Sequence, residues 1–297
     1  MEKQQTSKWK DLCMQTLKLY GDADMLVYAG NATLFIVTAA APFIMLILTI
    51  VNRLPWYSPE AVTDVLLQLL PDMGSIQDMI QSMMNNLKGQ SGALLATGAA
   101  LTTLWSASAG VNAIRKGLDQ LDGEKAVGVS NLHRRLFFTI VMIILFPTLL
   151  LFGIMGNSIL DLVASILERL GAAAVSEILE TLTSLLNVSK IIVSVASFFV
   201  ILAIYAYMPV KRHTLKSRLP GAVFTGISWF LFTKLFSFFI PRFYRSSSLY
   251  GSLASLFLVL LWLRVIMMIL FGGAALNKTL EDSGWKMPKR QKKAGAK

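Results

Sequence analysis

The residues of this chain best placed to do chemistry are cations inside apolar runs. Lys234 stands in LFTKLFSFF and Arg264 in VLLWLRVIMMIL. At a bilayer centre each would cost about 2.5–3.5 kcal/mol on insertion scales unless it snorkels, pairs or faces a polar cavity. No carboxylate lies within either run, and Asp161 is the nearest acidic candidate. Unpaired cations at such depth suit an anionic solute or a lipid headgroup. Lys234 lies nearer one end of its run, where snorkelling is the plainer account. Arg264 is deeper and is expected to face a polar cavity. Asn31 and Asn277 add amides to neighbouring apolar segments, and Pro42 interrupts a hydrogen-bond ladder. Ser106 and Ser108 sit in a stretch of small residues that serves either close helix packing or a lined pathway.

Catalysis has little to draw on. His133 and His213 stand among Arg and Lys without the His or Cys spacing of a metal site. No Walker-type phosphate loop appears, so no ATP motor is expected. No nucleophile–base pair stands out, and Cys13 is alone, which excludes an intrachain disulfide. The expectation is a non-enzyme with no catalytic residues, no metal and no cofactor.

The elements that must hold these residues follow from composition. Hydrophobic residues make up 55% of the 297 and charged residues 15%, well under the roughly 25% usual in soluble domains. Runs of about 20 apolar residues mark membrane spans. Six are expected, at Ala29–Val51, Gly92–Ile114, Leu136–Ile159, Val188–Met208, Pro220–Ile240 and Leu249–Leu276. Basic residues test this set. The N-terminal segment, the connections after spans two and four, and the C-terminal tail together hold 20 Lys and Arg, against 6 on the opposite side. The positive-inside rule then places both termini in the cytoplasm. The net charge of +11 is thereby assigned to a membrane-facing surface and not to nucleic acid. Apolar residues at helical spacing in 58–89 and 160–186 predict two amphipathic helical hairpins on the outer side. The expected architecture is all-α: a cytoplasmic amphipathic segment over 1–28, a six-helix transmembrane domain over 29–277, and a basic cytoplasmic tail over 278–297.

Several motifs, taken in order, resemble the YihY/BrkB family of inner-membrane proteins, earlier described as ribonuclease BN. They are Leu104-Trp105-Ser106-Ala107-Ser108-Ala109-Gly110 with Arg115 and Gly117, then Tyr205, Pro209, the basic turn Lys211–Arg218, Gly221 and Trp229, and finally Tyr250-Gly251-Ser252-Leu253, Leu261-Trp262-Leu263 and Gly273-Ala274-Ala275-Leu276-Asn277. Two departures stand out. Leu34, Phe35 and Ala39 precede Pro42 where the family usually carries aromatics and a serine. Ala275 stands where the family usually has a glutamate, so a coupling route through that carboxylate is lacking here. The resemblance implies a multi-pass protein of the bacterial inner membrane, linked in some members to envelope or virulence traits and in others to transport. The leading expectation is a transporter or lipid translocator for an anionic solute or headgroup. The alternative is a non-transporting envelope scaffold. Expected partners are membrane lipids and anionic headgroups, a homo-oligomer or an envelope partner, and no nucleic acid.

Overall fold

The computed structural model of the chain describes residues 2–51, 93–124, 133, 136–145, 188–244 and 251–284. Among these residues the regular structure is helical. In chain order the helices are α1 (Glu2–Asp22), α2 (Met25–Val51), α3 (Ala93–Asp122), α4 (Leu136–Leu145), α5 (Val188–Tyr207), α6 (Leu215–Tyr244) and α7 (Gly251–Asp282). The expected hairpins over 58–89 and 160–186, with Tyr250, lie outside the described residues.

α7 is the hub, packing against α1, α2, α3 and α6, while α2 packs on α3 and α5 on α6. Local sequence explains the close approaches. Met25, Ala29 and Ala32 recur on one helical face of α2 and are buried. That face meets the small residues of α3. A β-carbon on Gly110 would stand 3.4 Å from the Ile36 side chain, and one on Gly117 would strike the Phe271 ring. The small-residue stretch therefore does the packing work its composition allows. α1 and α2 meet at an angle of 62°. Asp24 takes φ 53° at this corner, a left-handed conformation that Asp tolerates better than most residues. Its N–H donates to the Gly21 carbonyl at 3.0 Å.

The outward surface is apolar. Along α6, Val223, Phe224, Ile227, Phe230, Leu231, Leu235, Phe238 and Phe239 are exposed, a continuous helical stripe that water would not solvate well. Leu215–Phe239 and Phe257–Asp282 are long and apolar enough to cross a membrane, and the bent pair Lys10–Asp22 with Met25–Ala40 adds a third if taken as one span. The protein is a helical membrane protein.

Three boundaries differ by five residues or more from those expected. α3 runs past Ile114 to Asp122, α6 begins at Leu215, before Pro220, and α7 runs past Leu276 to Asp282. Residues assigned to cytoplasmic connections, Arg115 and Arg218 among them, are therefore helical. Both are also buried. Arg115 meets an acid one turn on and Arg218 meets acids on two other helices, an outcome that a count of loop charges does not anticipate.

Candidate functional site

Charge concentrates where α3 and α7 end and α6 begins. At this end a short connection, 208–214, links α5 to α6. Its placement starts with Arg115 and Asp119, one turn apart on α3. Arg115 Nε donates to Asp119 Oδ2 at 3.3 Å, with both side chains almost fully buried. Asp119 Oδ1 accepts the Val210 N–H at 2.7 Å, which ties the connection to α3. Burial outweighs these partners, and the Asp119 carboxyl lies above its ordinary range.

One turn further, Asp122 Oδ2 meets His213 Nε2 at 2.7 Å. The other ring nitrogen, Nδ1, accepts from Arg218 Nη2. Arg218 Nη2 also donates to Glu281 Oε2 at 2.8 Å and stands 3.7 Å from Asp122 Oδ1. Lys211 reaches Glu281 Oε1 at 3.4 Å. Arg218 thus sits among Asp122, His213 and Glu281. Among the described residues no group of His, Cys, Asp or Glu is arranged to hold a metal ion.

Asn277 closes the junction from α7. Its Oδ1 accepts the Gly221 N–H at 2.7 Å and its Nδ2 donates to the Arg218 carbonyl at 3.1 Å. The backbones of α6 and α7 touch here: a β-carbon on Gly221 would collide with the Gly273 carbonyl, and one on Gly273 with Thr225. Tyr205 brings in α5, donating to the Leu270 carbonyl at 2.5 Å while accepting from Thr225 at 2.7 Å. Trp229 Nε1 donates to the Ile266 carbonyl at 2.9 Å, and Trp262 Nε1 to Thr233 at 3.4 Å. Between the helices remains a cavity of about 20 Å³ lined by Asp122, Tyr205, Pro209, Arg218 and Asn277 among others, room for one water-sized occupant. Arg218 Nε is buried and has no hydrogen-bond partner among the described residues.

The residues singled out from sequence are scattered relative to this junction. Asn277 and Pro209 belong to it. Trp229 pins α6 to α7 next to it. Arg264 lies on α7 away from the cavity, exposed, its Nη1 3.4 Å from where a β-carbon on Gly30 would stand. Its charge acts on the Tyr20 hydroxyl, which is buried without a hydrogen-bond partner among the described residues. Lys234 is exposed within the apolar stripe of α6, with Nζ 5.8 Å from the Phe230 ring centre. Asn31 is exposed on α2, and Trp105 is 80% exposed on α3. Ser108 is buried and Ser106 half-buried. Pro42 lies inside α2, which continues through it, and Gly251 opens α7. Sequence reasoning passed over His213 as an ordinary interfacial residue. The available signal was the acid pair Asp119 and Asp122, about one and two turns beyond Arg115.

Several of the motif residues that carried the family resemblance, Arg115, Tyr205, Pro209, Arg218, Gly221 and Asn277, build this junction, and comparison with known proteins agrees with the resemblance. A family model described as virulence factor BrkB matches residues 16–297. A protein of Bacillus subtilis (strain 168) named putative ribonuclease-like protein YfkH is 28% identical over 252 residues, covering 83% of this chain and 86% of its own. A UPF0761 membrane protein of Pseudoalteromonas atlantica is 26% identical over 260 residues, covering 86% and 81%. A UPF0761 membrane protein of Haemophilus influenzae is 30% identical over 88 residues, about a third of each chain. No solved structure matches. The match over nearly the whole length places this chain in the virulence factor BrkB family of membrane proteins.

Proposed function

We propose that the protein is a six-span transporter or lipid translocator of the bacterial inner membrane, with both termini cytoplasmic and no ATP motor of its own. It would handle an anionic solute or headgroup. The observation that carries this is Arg264. It is a permanent cation, exposed on the most apolar long helix and set against Gly30, next to a Tyr20 hydroxyl with no hydrogen-bond partner among the described residues. A guanidinium and a free phenolic donor on adjoining helices match the oxygens of a phosphate or carboxylate. The absence of a side chain at Gly30 leaves room for the guanidinium between α7 and α2. Lys234 fits a different role: on the outward stripe, its ammonium lies over the Phe230 ring one turn away.

The ribonuclease-like name of the Bacillus relative is not carried over to this chain. Hydrolysing RNA needs metal ligands or a free acid–base pair, and both ring nitrogens of His213 are engaged.

Purified protein in liposomes tests the reading. Labelled anionic lipid should cross the bilayer, and Arg264→Ala should slow it by at least about tenfold, the loss of a charge-assisted contact of about 1.5–3 kcal/mol. Flux of neither lipid nor small anions, with Arg264→Ala indistinguishable from wild type, overturns it in favour of the scaffold.

A further inference from the structure

We propose that the cavity where α3, α5, α6 and α7 meet is a water site, and that one resident water joins the four helices through Asp122, Tyr205, Arg218 and Asn277.

The first pointer is Arg218. Its side chain is 5% exposed, its Nε–H has no hydrogen-bond partner among the described residues, and it lines the cavity. An unanswered donor on a buried cation carries its full desolvation penalty. A ligand that accepts a hydrogen bond there is therefore strongly favoured. The second pointer is a distance. Arg218 Nη2 stands 3.7 Å from Asp122 Oδ1, too far for a direct hydrogen bond and in the range where a water closes the gap. Asp122 gives its other oxygen, Oδ2, to His213, so Oδ1 is left to accept from the cavity.

Two further lining groups have capacity to spare. The Tyr205 hydroxyl donates to the Leu270 carbonyl and accepts from Thr225, which leaves it one lone pair. Asn277 spends one Nδ2 hydrogen on the Arg218 carbonyl and has a second. A water can thus accept from Arg218 Nε and Asn277 Nδ2 while donating to Asp122 Oδ1 and Tyr205 Oη. A buried water makes about 2–4 such bonds and needs about 10–15 Å³. The cavity offers about 20 Å³, and Ala274 keeps that room open by presenting only a methyl group. An ion fits less well. The lining sets the Arg218 cation against the Asp122 anion, so an ion of either sign meets its like, whereas water answers both. Asp122, Tyr205, Arg218 and Asn277 stand on α3, α5, α6 and α7 respectively. The water is then a contact that all four helices share.

The site is separate from Arg264, so this inference and the transport reading fail separately. Radiolytic footprinting of full-length protein in nanodiscs is the test, because an X-ray pulse makes hydroxyl radicals from bound water in place. Tyr205 is 2% exposed and lines the cavity, while Phe271 is 0% exposed and lies outside its lining. Tyr205 should be oxidised at least about tenfold faster than Phe271 if a water stands beside it. Ala274→Val fills the cavity and should remove that excess. Ala274→Thr adds the same bulk but carries a hydroxyl that can stand in for the water between Arg218 and Asp122. The Thr variant should melt at least about 3 °C above the Val variant. Tyr205 oxidised no faster than Phe271 overturns the proposal, and that comparison needs no variant. So does an excess that survives in folded Ala274→Val protein, or a Val variant that melts at or above the Thr variant.

Discussion

Asn277 is 1% exposed, and both ends of its amide are in use, on the Gly221 N–H and the Arg218 carbonyl. Asn277→Ala removes both of these buried hydrogen bonds, at about 0.5–1.5 kcal/mol each. A marked drop in the thermal midpoint of the detergent-solubilised protein is expected. Asp119→Asn should be worse still. It keeps an acceptor for Val210 but removes the negative charge beside buried Arg115, and breaking a buried pair costs about 3–5 kcal/mol. Lys211→Ala, which loses only a half-exposed pair, should change the midpoint little. At this scale the sequence was legible in part. Asn277 is conspicuous as an amide in an apolar run, but its role as a bracket between two backbones depends on α6 starting early enough to bring Gly221 opposite it. His213 was not legible, because its significance lies in partners drawn from three separate parts of the chain.

Glycines separate helix contact from helix propensity at the level of the element. Gly221→Ala and Gly273→Ala each drive a methyl into the facing backbone or Thr225. Both should abolish or sharply reduce the monodisperse peak in size-exclusion chromatography. Gly98→Ala meets nothing within 4 Å and should be neutral or stabilise by about 0.5–1 kcal/mol, the ordinary gain for a helical glycine. A thermal scan of the three variants decides between a contact requirement and a general sensitivity of glycines. Hydropathy located the apolar cores of α2, α3, α5, α6 and α7 but misplaced their polar ends. Helices do not stop where lipid stops. α3 continues for two further turns because Arg115 and Asp119 support one another at i,i+4 spacing. The corner between α1 and α2, set by Asp24, has no signature in hydropathy at all.

For the molecule as a whole, the apolar stripe of α6 and the spans over Leu215–Phe239 and Phe257–Asp282 were readable directly from composition. The two outer hairpins and the count of six spans rest on the sequence alone. Reporter fusions check them. A fluorescent protein joined after residue 130 or after Lys297 should be bright, as cytoplasmic fusions are, and an alkaline phosphatase joined after residue 75 should be active. Inactive phosphatase at 75 would refute the proposed orientation. Cys13 is exposed on α1, so a membrane-impermeant thiol reagent should label it in inverted vesicles and not in intact spheroplasts.

The pairing of α6 with α7 has a mechanical consequence. Asn277 with Gly221, the bare backbone crossing at Gly273, Trp229 with Ile266, and Trp262 with Thr233 fasten the two helices at successive heights. They cannot slide past one another without losing several of these bonds together, so they form a single stiff beam. From the crossing at Gly221 to Tyr244 that beam is about 35 Å long at about 1.5 Å per residue. A tilt of about 10° about the crossing would carry the far end through about 6 Å, the rise of one helical turn. Any opening at one face of the membrane is therefore to be sought as a swing of both helices together, levered from the end where they are bolted.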